Sequence, residues 1–215
     1  HVAYARSLGL KVRYTPEDAT RTDFELLVCV CNAAIKAGAD RISFADTLGI
    51  MQPHIFYERV HALRERLLPC KIDLHCHDDY GLSLANAMAG IRAGADCIHT
   101  TVNGLGERTG IPDLAETVVA FHNLEGVEKY NIQPLMELSA YLEGVSGFFM
   151  APNKPITGQN AFSHKSGVHT NGILKDPRTY EPFDPALLGR ERKIIIDKYT
   201  GKSAVQSRLD EYGIE

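Results

Sequence analysis

The feature that most limits how this chain can fold is a repeat. Apolar-alternating runs suited to β-strands begin near residues 11, 41, 71 and 97, and each is followed by a run of helical apolar spacing, so a strand-plus-helix unit recurs every roughly 26–30 residues. Two stretches echo one another: Ile35-Lys36-Ala37-Gly38-Ala39-Asp40-Arg41-Ile42 and Ile91-Arg92-Ala93-Gly94-Ala95-Asp96-Cys97-Ile98. In each, glycine stops a helix and a strand follows. Strands joined through helices run parallel, with right-handed crossovers.

In chain order, residues 1–9 read as the end of a helix closed by Gly9, and Lys11-Val12-Arg13-Tyr14-Thr15 as a strand. Thr22 or Asp23 caps a helix to about Lys36, followed by a strand at Arg41-Ile42-Ser43-Phe44-Ala45. A helix at about 53–67 leads to the strand Lys71-Ile72-Asp73-Leu74, and one at about 82–93 leads to Cys97-Ile98-His99-Thr100-Thr101-Val102. Helices are expected near 111–124 and 134–145, only short elements over the Pro-, Gly-, His- and Tyr-rich stretch 149–200, and a helix at 201–212.

All four strands carry polar residues at their C-terminal ends: Arg13, Thr15 and Glu17; Asp46 and Thr47; His75 and His77; Asn103, Glu107 and Arg108. That convergence is the layout of a TIM-barrel active site. A doubly wound sheet also binds at its strand ends, but no GxGxxG follows the first strand here. The expected fold class is α/β: the C-terminal half of a (βα)8 TIM barrel, four βα units, plus a small α+β subdomain. Residues 1–130 would form the half-barrel, and 131–215 a helical linker and the subdomain. The chain opens inside a helix with no initiator Met, so it reads as a fragment.

Composition narrows the function classes. The 215 residues are 44% hydrophobic with net charge −4 and scattered basic residues, which points to neither nucleic acid nor a membrane surface. No signal peptide or apolar run of spanning length is visible. Cys29, Cys31, Cys70, Cys76 and Cys97 are odd in number and mostly set in apolar runs, which indicates reduced, buried thiols in a cytoplasmic protein. Cys29-Val30-Cys31 lies in a helical pattern where i and i+2 diverge, so it reads as core rather than a metal pair.

The stretch richest in chemistry is His75-Cys76-His77-Asp78-Asp79. On a strand, residues i and i+2 point the same way, so His75 and His77 present two imidazoles on one face. With carboxylates nearby, this suits Mg²⁺, Mn²⁺ or Zn²⁺. The same pattern also occurs with one histidine in the core and no metal.

Five motifs in order carry a resemblance: Glu17-Asp18-Ala19-Thr20-Arg21-Thr22-Asp23, Ala45-Asp46-Thr47-Leu48-Gly49, His75-Cys76-His77-Asp78-Asp79-Tyr80-Gly81, Asn103-Gly104-Leu105-Gly106-Glu107-Arg108 and Ala161-Phe162-Ser163-His164-Lys165-Ser166-Gly167-Val168-His169. With them the chain resembles the acetyl-CoA-condensing branch of the DRE-TIM metallolyases: homocitrate, 2-isopropylmalate, citramalate and Re-citrate synthases. The resemblance implies condensation of acetyl-CoA with a 2-oxo acid at a divalent metal held by His75, His77 and an acid on a first strand absent here. It implies catalytic roles for Glu17, His169 and Tyr180, the last two reaching a partner's barrel in a homodimer. Arg13, Thr15 and Thr47 would bind substrate; Asn103, Gly104, Gly106, Glu107 and Arg108 would bind CoA. Each has a plainer reading too. Glu17 could cap a helix, Thr47 and Tyr180 could pack, His169 could be a buried bonded histidine, and Glu107-Arg108 could be an ion pair bracing its loop.

Within that branch, Arg13, the Ser163–His169 motif and Ile111 resemble homocitrate synthases, which favours 2-oxoglutarate. Glu17–Asp23 and Thr101-Val102-Asn103-Gly104 resemble the leucine-pathway enzymes, and Re-citrate synthase also calls for Arg13. A related thioester lyase and an inactive chain remain alternatives. Four βα units leave two unpaired edges, so the chain is predicted inactive alone.

Overall fold

The computed structural model describes every residue except 197, 199, 203, 204, 207, 208, 210, 211 and 215. It divides into two compact units, His1–Thr117 and Val118–Glu215. The helix expected at 201–212 falls on a stretch in which many residues lie outside those described.

In the first unit the elements are α1 (Val2–Ser7), β1 (Arg13–Tyr14), α2 (Phe24–Lys36), β2 (Arg41–Asp46), α3 (Pro53–Arg66), β3 (Lys71–Cys76), α4 (Ser83–Arg92) and β4 (Cys97–Ile98), followed by the start of α5 (Leu114–Glu125). All four strands are parallel in the order β1-β2-β3-β4. Sequential neighbours with no reversal of order make an arc of a barrel, whereas a doubly wound sheet reverses around a switch point.

Local chemistry explains the boundaries. The carboxylate of Asp23, one of the two caps the sequence offers, accepts from Leu26 N–H at 3.0 Å and starts α2. Gly38, at φ +106°, follows the helix and turns the chain toward β2. Pro53 occupies the first turn of α3, where its missing N–H costs nothing. β1 and β4 are shorter than expected, two residues each.

The alternation along β2 and β3 divides the two sheet faces. Ile42, Phe44, Ile72, Leu74 and Cys76 join Leu27, Val28, Cys31, Phe56, Val60, Leu63 and Ala87 in one buried cluster under the helices. Asp73 and His75, one step out of phase, therefore project from the opposite face. Gly90 lets α4 approach that core: a Cβ there would lie 2.5 Å from a Leu74 methyl and 2.9 Å from the Phe56 ring. Of the thiols expected to be buried, Cys31 and Cys76 are; Cys70 and Cys97 are only half-buried, and Cys29 departs furthest. Cys31 is buried but Cys29 is exposed, because residues two apart on a helix cannot share the apolar face.

The second unit contains the rest of α5, α6 (Leu135–Ser146), β5 (Ser163–His164), α7 (Gly167–Lys175) and β6 (Lys193–Ile194), with short 3-10 turns at Pro177–Thr179 and Pro185–Leu188. β5 and β6 pair in parallel. Phe162, Ile173 and Leu188 are its most buried large apolar side chains after residue 150, and Arg190 lies over the Phe162 ring while donating to the carbonyls of Ile156 and Gly158. No described helix is long and apolar enough to cross a membrane.

Candidate active site

The strand ends of the first unit are tied into one rim. Thr47 Oγ1 accepts from the Asp18 N–H at 2.8 Å, which leaves the hydroxyl proton free to donate elsewhere. Arg108 donates to both oxygens of Asp79, at 2.8 and 2.9 Å, and to the Thr47 carbonyl at 2.6 Å. The Asp78 N–H reaches the Gly110 carbonyl at 3.1 Å. The loops after β2, β3 and β4 are thus one bonded surface. Arg108 does brace its loop by an ion pair, but its partner is Asp79 rather than the neighbouring Glu107. The guanidinium holds the Asp79 carboxyl below the usual carboxylate range.

The glycine loop is wound tightly. Asn103, Gly104, Arg108 and Gly110 all take positive φ, and a Cβ on Gly110 would strike the Gly104 carbonyl oxygen at 1.7 Å. Asn103 is buried, while Gly106, Glu107 and Arg108 are exposed on the rim. Asp46, fully buried, is structural: its carboxylate accepts from Thr20 Oγ1 and from the N–H groups of Ile50 and Met51.

The structure brings three imidazoles together, one more than the sequence reading singled out. His75 and His77 have ring centroids 5.1 Å apart, and His99, just past β4, lies 5.3 Å from His75. His75 Nδ1 and His99 Nδ1 are 3.1 Å apart, and His99 Nε2 is 2.7 Å from an Arg13 terminal nitrogen. Behind them Asp73, 2% exposed, is bridged by Arg41 and lies 3.6 Å from His99 Nε2. The missed signal was one of register. Leu74 pairs with Ile98, so the next residues, His75 and His99, are neighbours on the same face.

Burial pushes the His75 pKa down to about 4, with His99, His77 and Arg13 adding repulsion. His99 is shifted the same way, by burial and then Arg13, against a smaller pull from Asp73. A neutral His75 is the form a metal ligand requires. His77 Nδ1 is buried and has no hydrogen-bond partner among the described residues. A buried imidazole nitrogen lacking a partner beside a neutral imidazole fits a divalent ion. Among the described residues no cluster of three His, Cys, Asp or Glu completes a coordination shell.

Arg13, Thr15 and Glu17 alternate along β1 and its extension, and all three are exposed. His169 and Tyr180 belong to the second unit, where their rings stack at 4.0 Å. Gly172, one turn beyond His169 on α7, makes room for the tyrosine: a Cβ there would lie 2.7 Å from its ring. Glu181, beside Tyr180 in sequence, is buried and accepts from His164 at 3.1 Å and Arg192 at 3.0 Å.

Residues 1–142 match the HMGL-like family, and residues 156–215 match the family described as homocitrate synthase post-HMGL domain-like. The homocitrate synthase of Saccharolobus solfataricus is 48% identical over 214 residues, covering 100% of this chain and 46% of that protein. That of Sulfurisphaera tokodaii is 47% identical over the same span and share. The chain therefore spans about half the length of the curated relatives it matches. Among solved structures, the HMG-CoA lyase of Bacillus subtilis superposes with TM-score 0.62 at 21% identity, over 74% of this chain and 55% of that one. The carboxyl transferase domain of Rhizobium etli pyruvate carboxylase gives 0.54 at 24%, over 63% of this chain and 24% of that one. At such identity these two likenesses speak for the fold.

Proposed function

Given that this chain belongs to the HMGL-like family, we propose that the full-length protein is a metal-dependent acyltransferase that condenses acetyl-CoA with a 2-oxo acid, with 2-oxoglutarate favoured and homocitrate the product. The observation that carries the substrate choice is Arg13, a cation held at the strand ends 2.7 Å from His99 and thereby next to the His75–His77 pair. A cation so placed suits a second, distal carboxylate. The full-chain likeness to homocitrate synthases supports the same choice.

In this reading His75 and His77 supply two donors to the metal. Further ligands are assigned to the portion of the relatives' length that this chain does not span. When bound, the metal supplies a Lewis acid that polarises the ketone of the 2-oxo acid. Thr47, whose hydroxyl proton is free, donates to the carboxylate beside that ketone, and Thr15 lines the same side as Arg13. The acetyl methyl is a very weak acid, so a positioned base is required. Glu17 with His169 and Tyr180 of a second copy form the proposed acid–base set, which makes a homodimer the working unit. The tight loop carrying Asn103, Gly104 and Gly106 allows backbone approach to the thioester arm, with Glu107 and Arg108 at its edge.

The test is thiol release from acetyl-CoA by the full-length protein with Mg²⁺ or Mn²⁺, across 2-oxoglutarate, oxaloacetate and 3-methyl-2-oxobutanoate. Preference for 2-oxoglutarate is expected. Preference for the branched monocarboxylate would overturn the reading of Arg13, and preference for oxaloacetate would replace homocitrate by citrate chemistry.

A further inference from the structure

The stacked pair of the second unit lies at its surface: His169 is exposed and Tyr180 is 41% exposed. At that exposure apolar packing alone does not fix the tyrosine, and its place is set by the chain on either side of it. Before it, the 3-10 turn over Pro177–Thr179 ends with the N–H groups of Tyr180 and Glu181 both donating to the Pro177 carbonyl, at 3.1 and 3.0 Å. After it, the Glu181 side chain turns inward and is buried. Its Oε1 accepts from His164 Nε2 at 3.1 Å, and Arg192 donates to both of its oxygens, from Nε at 3.2 and 3.3 Å and from Nη2 at 3.0 Å. These donors come from paired strands. His164 ends β5, its carbonyl accepts from the Ile195 N–H at 2.8 Å, and Arg192 directly precedes β6. The carboxylate next to Tyr180 is thus fastened to the β5–β6 pair through both oxygens.

An ionised carboxylate only accepts, so one held by a guanidinium fork and an imidazole N–H is fixed in direction as well as in place. The next residue in the chain inherits that direction. We propose that Glu181, held by His164 and Arg192, is a positioning residue for Tyr180: it sets the phenol at the distance and angle that proton transfer requires without itself meeting the reacting groups. This rests on the reading of Tyr180 as a member of the acid–base set. It adds three residues to which that reading gives no part, and a rule, namely that the network acts on turnover only through the Tyr180 hydroxyl. A displacement of about 1 Å at a reacting group can cost about a hundredfold in rate, so a network one residue away from it is read in kcat.

The test uses the full-length protein and measures kcat and KM for acetyl-CoA and 2-oxoglutarate by thiol release, in a cycle of Tyr180→Phe, Glu181→Gln and the double variant. Tyr180→Phe is expected to lower kcat about tenfold or more. Glu181→Gln keeps the shape but turns an N–H₂ toward one of the donors. It is expected to lower kcat about tenfold or more with both KM values within about threefold, yet to lower it less than about twofold further in the Tyr180→Phe background. Should Glu181→Gln fail to fold, His164→Leu takes its place in the same cycle. His164→Gln, whose side-chain amide offers an N–H in place of that on Nε2, is then expected to recover most of the lost kcat. An equal loss of kcat in both backgrounds would overturn the inference, because Glu181 would then serve the stability of the fold alone. A loss carried by KM, or an unchanged kcat in Glu181→Gln, would overturn it as well. An unchanged kcat in Tyr180→Phe would instead remove Tyr180 from the acid–base set, and this inference with it.

Discussion

The two units hold their candidate residues in place by different means. In the first, strands and helices bury Ile42, Phe44, Phe56, Val60, Leu63, Ile72 and Leu74 completely or nearly so, and the site residues occupy the rim of a scaffold that apolar packing makes rigid. In the second, His169 and Tyr180 lie beside a small core, and the chain around Tyr180 is anchored by the buried Glu181 with His164 and Arg192. A site can therefore rest on hydrophobic burial or on a charged network. The two should therefore lose different amounts of stability on truncation to alanine, the apolar scaffold more than the charged anchor.

The largest expected effect is in the apolar scaffold. Phe56 is fully buried with its ring 5.3 Å from that of Phe44, and Phe56→Ala should cost about 3–5 kcal/mol in denaturant unfolding followed by circular dichroism. Next comes the charged anchor. Glu181→Ala removes the shared acceptor of His164 and Arg192, the second of which keeps about a third of its surface in water. A loss of about 2 kcal/mol is expected, together with loosened stacking of Tyr180 on His169, read from the ring shifts in NMR. A cost near zero for Glu181→Ala would break the comparison.

A smaller effect concerns pH. The His75 pKa lies at about 4 in the fold against 6.5 for the free side chain, so folding favours the neutral ring. The stability this contributes is complete above about pH 6.5 and is lost as pH falls toward about 4. Amide-exchange protection of Ile72 and Leu74 should decline over that window, and His75→Asn should flatten the decline. The smallest effect is at the rim. Arg108→Ala should leave the unfolding midpoint unchanged while the Asp78 amide, bonded to the Gly110 carbonyl, exchanges faster.

Much of the first unit was legible because a βα period writes itself into apolar spacing: Asp23, Gly38 and Pro53 mark helix ends by local chemistry alone. His99 was not, since it reads as one more residue of a strand until the Leu74–Ile98 register places it against His75. Nor was the partner of Arg108, because the loops that bring Asp79 to it are distant in sequence. In the second unit α7 escaped the reading. Gly167 and Gly172 weaken its helical signal, and Gly172 is there for a contact with Tyr180 that only tertiary structure reveals.

The proposed metal site rests most directly on the two imidazoles at the end of β3. Electron spin-echo modulation of Mn²⁺ added to the full-length protein reads nitrogen ligands without any turnover. Imidazole modulation from two histidines is expected, reduced to one in His75→Ala or in His77→Ala and abolished when both are replaced. A Mn²⁺ signal free of imidazole nitrogen, or one unaffected by either substitution, would contradict it.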